Sequence, residues 1–136
     1  MGIRRKGREM ALQALYQIEI TGDASRRALD LFFSHFDGSV KAKDFARSLV
    51  SGVIDHKGEI DRLIRAAAEN WKISRMAKVD LTILRIASYE MVFCPDIPIN
   101  VTMDEAIEIG KRYGSGESAT FINGVLDQVA VASHAK

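Results

Sequence analysis

The sequence predicts an all-α fold of about seven helices gathered around a buried central helix spanning 79–93. Three observations predict it. The stretch VDLTILRIASYEMVF, Val79–Phe93, has neither Gly nor Pro, and its apolar residues point in every direction around a 3.6-residue wheel, as in a helix buried on all sides. It is too short, and too interrupted by Asp80, Arg85 and Glu90, to span a membrane. Two prolines in 136 residues leave long uninterrupted segments, and no strand-like alternation runs longer than a few residues.

The other elements follow in order. Residues 3–20 read as a first helix, with Ile3, Gly7, Met10, Ala11, Ala14, Leu15 and Ile18 at helical spacing. Arg5, Glu9, Gln13 and Tyr16 fall on a different face. Thr21-Gly22-Asp23 stops it. A second helix, about 25–36, carries the stripe Leu29, Phe32, Phe33 and Phe36, and Asp37-Gly38-Ser39 breaks it. The third, about 40–55, places Gly52 on its apolar stripe, which predicts close approach of another element. The fourth, about 59–71, shows Ile60, Leu63, Ile64, Ala67, Ala68 and Trp71 at clean helical spacing. Cys94-Pro95 ends the central helix. A capping box, Thr102-Met103-Asp104-Glu105, predicts the start of the sixth helix. Gly114-Ser115-Gly116 breaks that helix, and the last runs over about 117–131.

Composition bounds the function classes. The chain reads as one domain, or as two helical halves, about 1–72 and 73–136, sharing a core. Net charge is +1, so bulk charge points to no partner. Cys94 is the only cysteine, which excludes an internal disulfide or a multi-cysteine zinc site and fits a reducing cytoplasm. No apolar run follows the basic N-terminus, so no secretory signal is expected. His35, His56 and His134 are scattered, and there is no P-loop or dinucleotide fingerprint. No cofactor, metal or catalytic constellation is expected.

Two local patterns carry more. Arg4, Arg5, Lys6 and Arg8 cluster before the first acidic residue, Glu9, and read either as a phosphate footprint or as a solvated terminus. Cations at a helix N-terminus oppose the macrodipole, so something besides local helix stability is expected to keep them there. Lys111 and Arg112 end one helix just before Ser115 or Ser118 can cap the next, which places cations beside free backbone N–H groups. Phe121, in the first turn of that last helix, can be core or a stacking platform for a single-stranded base.

These residues also carry a resemblance. Arg5-Lys6-Gly7-Arg8 with Ala11-Leu12-Gln13-Ala14-Leu15-Tyr16 resembles the arginine-rich opening helix of the NusB family of bacterial transcription antitermination factors. Val79-Asp80, Ile83-Leu84-Arg85-Ile86-Ala87 and Tyr89-Glu90 resemble its central helix; Ile97-Pro98 through Val101 with Asp104-Glu105-Ala106 resembles the next block. Lys111, Tyr113-Gly114 and Phe121-Ile122-Asn123-Gly124-Val125-Leu126-Asp127 resemble its ending. The resemblance implies two packed helical subdomains. It also implies a non-catalytic, cytoplasmic adaptor that binds single-stranded boxA RNA with the ribosomal protein NusE. The complex would join elongating RNA polymerase and other Nus factors, notably in ribosomal RNA operons. By that carry-over Arg4, Arg5, Lys6 and Arg8 contact phosphates. Tyr16, Thr120 and Phe121 contact bases, Lys111 and Arg112 lie nearby, and Asp80 faces the basic partner.

The chain departs from the family pattern at Gly7, where Ala is common and fraying of the basic end is therefore expected. It departs also at Asp104 and Gly110, and Glu117 places an acid where it would repel phosphate. Two other readings stand beside this one: an RNA-binding accessory domain like that of ribosomal RNA cytosine methyltransferases, and a purely protein-binding helical module. The apolar stripes leave monomer and homodimer both open, and no membrane contact is expected.

Overall fold

The computed structural model describes residues 2–36 and 39–134. It contains α1 (Ile3–Thr21), α2 (Arg26–Ser34), α3 (Val40–Asp55), α4 (Lys57–Ala67), a short 3-10 turn (Ile73–Arg75), α5 (Lys78–Phe93), α6 (Ile99–Tyr113) and α7 (Ser118–His134). Among the described residues there is no strand, and no helix is long and apolar enough to cross a membrane. Gly22 closes α1 in the left-handed conformation, φ 75°, with its N–H on the Ile18 carbonyl. Ser25 and Ser39 cap α2 and α3 by accepting from the Ala28 and Ala42 N–H groups. The expected break at Asp37-Gly38 lies outside the described residues.

The central helix is α5, with neighbours on every side. It packs against α1, α3, α4, α6 and α7. Helix α4, N-terminal in sequence, also packs along α7. Three charged residues of α5 are buried with the rest, and each is tied to a neighbouring helix. Asp80 accepts from Ser118 Oγ on α7 at 2.6 Å. Arg85 donates to both oxygens of Asp61 on α4, at 2.8 and 3.0 Å. Glu90 accepts a two-pronged contact from Arg8 on α1, 2.8 Å on each arm, and a third bond from Thr102 on α6 at 3.0 Å. Buried charges need this degree of pairing, because desolvation otherwise outweighs attraction.

Three sequence expectations change. The basic end of α1 does not fray at Gly7: the helix is continuous from Ile3, and Gly7 is buried against α3. A Cβ there would lie 2.7 Å from the Phe45 ring and 3.0 Å from the Ala42 carbonyl, so the glycine permits the helix crossing. Gly52 does the same for the Tyr89 ring of α5, which a side chain would overlap. The capping box at Thr102 does not start α6. The helix begins a turn earlier at Ile99, and the box residues turn elsewhere, Thr102 to Glu90 and Glu105 to Arg5. Finally, α4 ends at Ala67. Trp71 therefore leaves the apolar stripe expected of it and sits in the following turn, 54% exposed.

Candidate nucleic-acid interface

The N-terminal cations divide by environment. Arg8 is 4% exposed and all but sealed by Glu90, with the Glu105 carboxylate 3.9 Å from its other nitrogen. It has little left to offer a phosphate. Arg5 is held on the surface side by Glu105, with Nε and Nη2 donating at 2.9 and 2.6 Å. That pair keeps the Glu105 carboxyl below its usual range. Arg4 reaches Asp96 only at 3.7 Å and leans over the Phe45 ring at 5.5 Å. Lys6 is exposed and in no ion pair among the described residues. Acidic residues from α5 and α6 thus hold part of the cluster against the unfavourable end of its helix dipole.

Side-chain pairs of this kind bridge α1 and α6. Arg112, at the end of α6, donates to Glu9 of α1 at 3.0 Å and lies 5.7 Å from the Tyr113 ring. Lys111 meets only Glu108, at 3.5 Å and exposed. Arg5, Lys111 and Arg112 line one open groove, with Glu9 and Glu108 in its walls. Burial, with the nearby Glu9 carboxylate, pushes the Tyr113 phenol up.

The loop after α6 does not leave an open anion site. Ser118 Oγ accepts from the Ser115 N–H at 2.9 Å and donates to Asp80. The carboxylate reached from this helix start is therefore the protein's own. Asp80 is 8% exposed, buried at the start of α5 and bonded to Ser118 of α7. Glu117 is exposed beside this loop.

Thr120 and Phe121 open on a second groove, between α7 and the turn after α4. Thr120 is exposed. Phe121 is half-buried, packed in part against the core and in part against Trp71, edge to face at 5.5 Å and 70°. The choice between core and stacking platform thus resolves into one ring with a buried side and an aromatic neighbour at the surface. Tyr16 is exposed on α1 but lines neither groove. The structure brings Arg5, Lys111 and Arg112 together, joins Thr120 to Phe121, and withdraws Arg8 and Asp80 from the surface. Sequence reasoning missed Trp71 and the internal counter-ions Glu105 and Glu9. A helix-ending signal after Ala67 would have exposed the first; the counter-ions have no local signal, since Arg5 and Glu105 are 100 residues apart.

The arrangement has known counterparts. The NusB family model matches residues 5–131. The chain belongs to the NusB family. It is 49% identical to the transcription antitermination protein NusB of Desulfatibacillum aliphaticivorans over 129 residues, covering 95% of this chain and 90% of the relative. It is 48% identical to that of Geobacter sulfurreducens over 131 residues, covering 96% and 95%. Among solved structures, T. maritima NusB superposes with a TM-score of 0.84 at 41% identity, covering 93% of this chain and 89% of that one. A chain from a crystal structure of the antitermination factors NusB and NusE in complex with double-stranded RNA superposes with a TM-score of 0.84 at 22% identity. It covers 97% of this chain and 98% of that chain, and at that identity it speaks to the NusB fold alone. The helices that carry the two grooves are therefore those of the NusB fold.

Proposed function

We propose that this NusB family member is a non-catalytic transcription antitermination adaptor of the bacterial cytoplasm. It binds single-stranded boxA-type RNA together with the ribosomal protein NusE and acts on the elongating RNA polymerase complex. The observation that carries the reading is the groove between α1 and α6, where Arg5, Lys111 and Arg112 converge beside exposed Arg4 and Lys6. The relatives matched almost end to end are antitermination proteins, and a NusB chain of the same fold has been seen with NusE and RNA. In this role Arg4, Arg5, Lys6, Lys111 and Arg112 hold phosphates, while Tyr16, Thr120 and Phe121 meet bases. Arg8 and Asp80 act from inside, by fixing the helices that present them. Glu117 restrains affinity by repelling the strand.

The test is fluorescence anisotropy of a labelled boxA-type RNA across salt, with and without NusE. With Arg8 withdrawn and Arg5 and Arg112 shared with Glu105 and Glu9, the five cations should neutralise about three or four phosphates on a single strand, so the log–log salt slope should be roughly −2 to −3. Binding should tighten when NusE is added. Absence of RNA binding in both conditions, by a folded protein, would leave a protein-binding helical module.

A further inference from the structure

We propose that the groove beside Trp71 is a nucleobase subsite, in which one base of the bound RNA stacks on the exposed indole. The proposal rests on the RNA-binding reading above and extends it to a residue outside the basic strip. Trp71 is the only tryptophan of the chain and is 54% exposed. Its single aromatic contact, with Phe121, is T-shaped, so at most one of its two faces is used. About half of the residue's surface is left open to a planar group.

The groove has the shape and chemistry of a base site rather than a phosphate site. Its walls include small residues, Ala66 and Gly124, and a Cβ built on Gly124 would meet nothing within 4 Å. A flat ring can lie close to backbone there. The polar groups lining it are the amides of Asn70 and Gln128, the Thr120 hydroxyl and the Glu69 carboxylate. Amides offer donors and acceptors together, as base edges require, and a carboxylate accepts from an exocyclic amine. No cation lines this groove, and Glu69 would repel a phosphate placed in it. Cations follow directly in the chain instead: Lys72 and Arg75 are exposed, and neither is in an ion pair among the described residues. An aromatic platform with flanking cations is how single strands are held without a duplex. Thr120 and Phe121 line the same groove, so it is continuous with the base contacts proposed for α7.

Because Trp71 is unique, its native emission reports on this groove alone, while anisotropy of a labelled RNA reports binding anywhere on the protein. Both are followed in one titration with a boxA-type single strand. The expected result is quenching of Trp71 emission with the same midpoint as the anisotropy change. Removing one base at a time from the RNA should abolish the quenching at a single position. Trp71→Ala should weaken binding by about 5- to 150-fold, the loss of one stacked base, while Trp71→Phe keeps most of the affinity. The melting temperature of Trp71→Ala should stay close to that of the parent, as the side chain is mostly in water. Anisotropy that rises while Trp71 emission stays flat would overturn the subsite and leave the RNA reading intact. So would emission that responds to NusE and not to RNA, which would assign the groove to protein. No anisotropy change at all would sink the RNA reading and the subsite with it.

Discussion

Lys6 and Arg8 stand two residues apart on α1, yet one is solvated and the other is locked in the core. The inner face of the helix carries Arg8 into a site with Glu90 and Thr102, both of them buried. The outer face leaves Lys6 free and Arg4 only loosely paired. Arg5 lies between these cases, bound to Glu105 at the surface. A run of cations that reads as one motif is therefore two structures: a structural pin inside and an exposed cationic strip outside. A like division holds at the other end of the molecule. Asp80 and Ser118 pin α5 to α7 inside, while Thr120, Phe121 and Trp71 face the second groove.

The sharpest way to break the comparison is Arg8→Ala, which strands Glu90 in the core. It should cost about 3–5 kcal/mol of stability in chemical denaturation. The protein that remains folded should keep its RNA salt slope, since Arg8 is buried and paired with Glu90. Replacing the pair together with apolar residues, Arg8→Met with Glu90→Leu, should recover much of the loss, because no lone charge is left buried. Asp80→Ala removes a charged hydrogen bond on Ser118 and should cost about 1.5–3 kcal/mol in the same assay. Full stability of this variant with lost NusE binding would support the partner-facing role that the family resemblance implies.

On the outer side, Phe121→Ala should weaken RNA binding by about 1–3 kcal/mol if its ring meets a base. Its cost to folding should fall short of the roughly 3–5 kcal/mol of a fully buried phenylalanine. A melting curve beside a binding curve separates the two effects. Lys6→Ala should leave stability within about 0.5 kcal/mol and make the salt slope shallower by about 0.7. An unchanged slope would remove Lys6 from the strip.

The smallest effect belongs to the surface pair of Arg5 and Glu105. Arg5 lowers the Glu105 pKa below its ordinary 4.5, so the carboxylate is favoured in the folded protein. The stability it contributes is present above about pH 4.5 and is lost as pH falls through the lowered folded value. Glu105→Gln should flatten that acid limb of the stability curve and leave neutral pH little altered. An unchanged acid limb would mean that the pair carries no folding free energy.

The helices and their order were legible in the sequence because each rests on a local pattern. The apolar wheel of 79–93 marks a helix surrounded by others, and the turns at Gly22 and Gly114 mark where the chain must stop. The basic cluster, the aromatic at 121 and the cations at 111 and 112 were legible as chemistry for the same reason. What local patterns cannot report is which side of a residue faces another helix. Gly7 looked like a weak point and is a contact with Phe45. Thr102 and Glu105 looked like a cap and serve α5 and α1 instead. Trp71 kept helical spacing with α4, but the chain turns after Ala67 and delivers the ring to the surface.

The sequence by itself determined an all-helical NusB-type chain with a buried middle and a cationic start, since hydrophobic periodicity and residue chemistry are properties of neighbours in the chain. Only the tertiary structure decided which cations are free. Arg5, Arg8 and Arg112 each meet a carboxylate within about 3 Å, but only the Arg8 pair is sealed from solvent, and its carboxylate comes from 82 residues away.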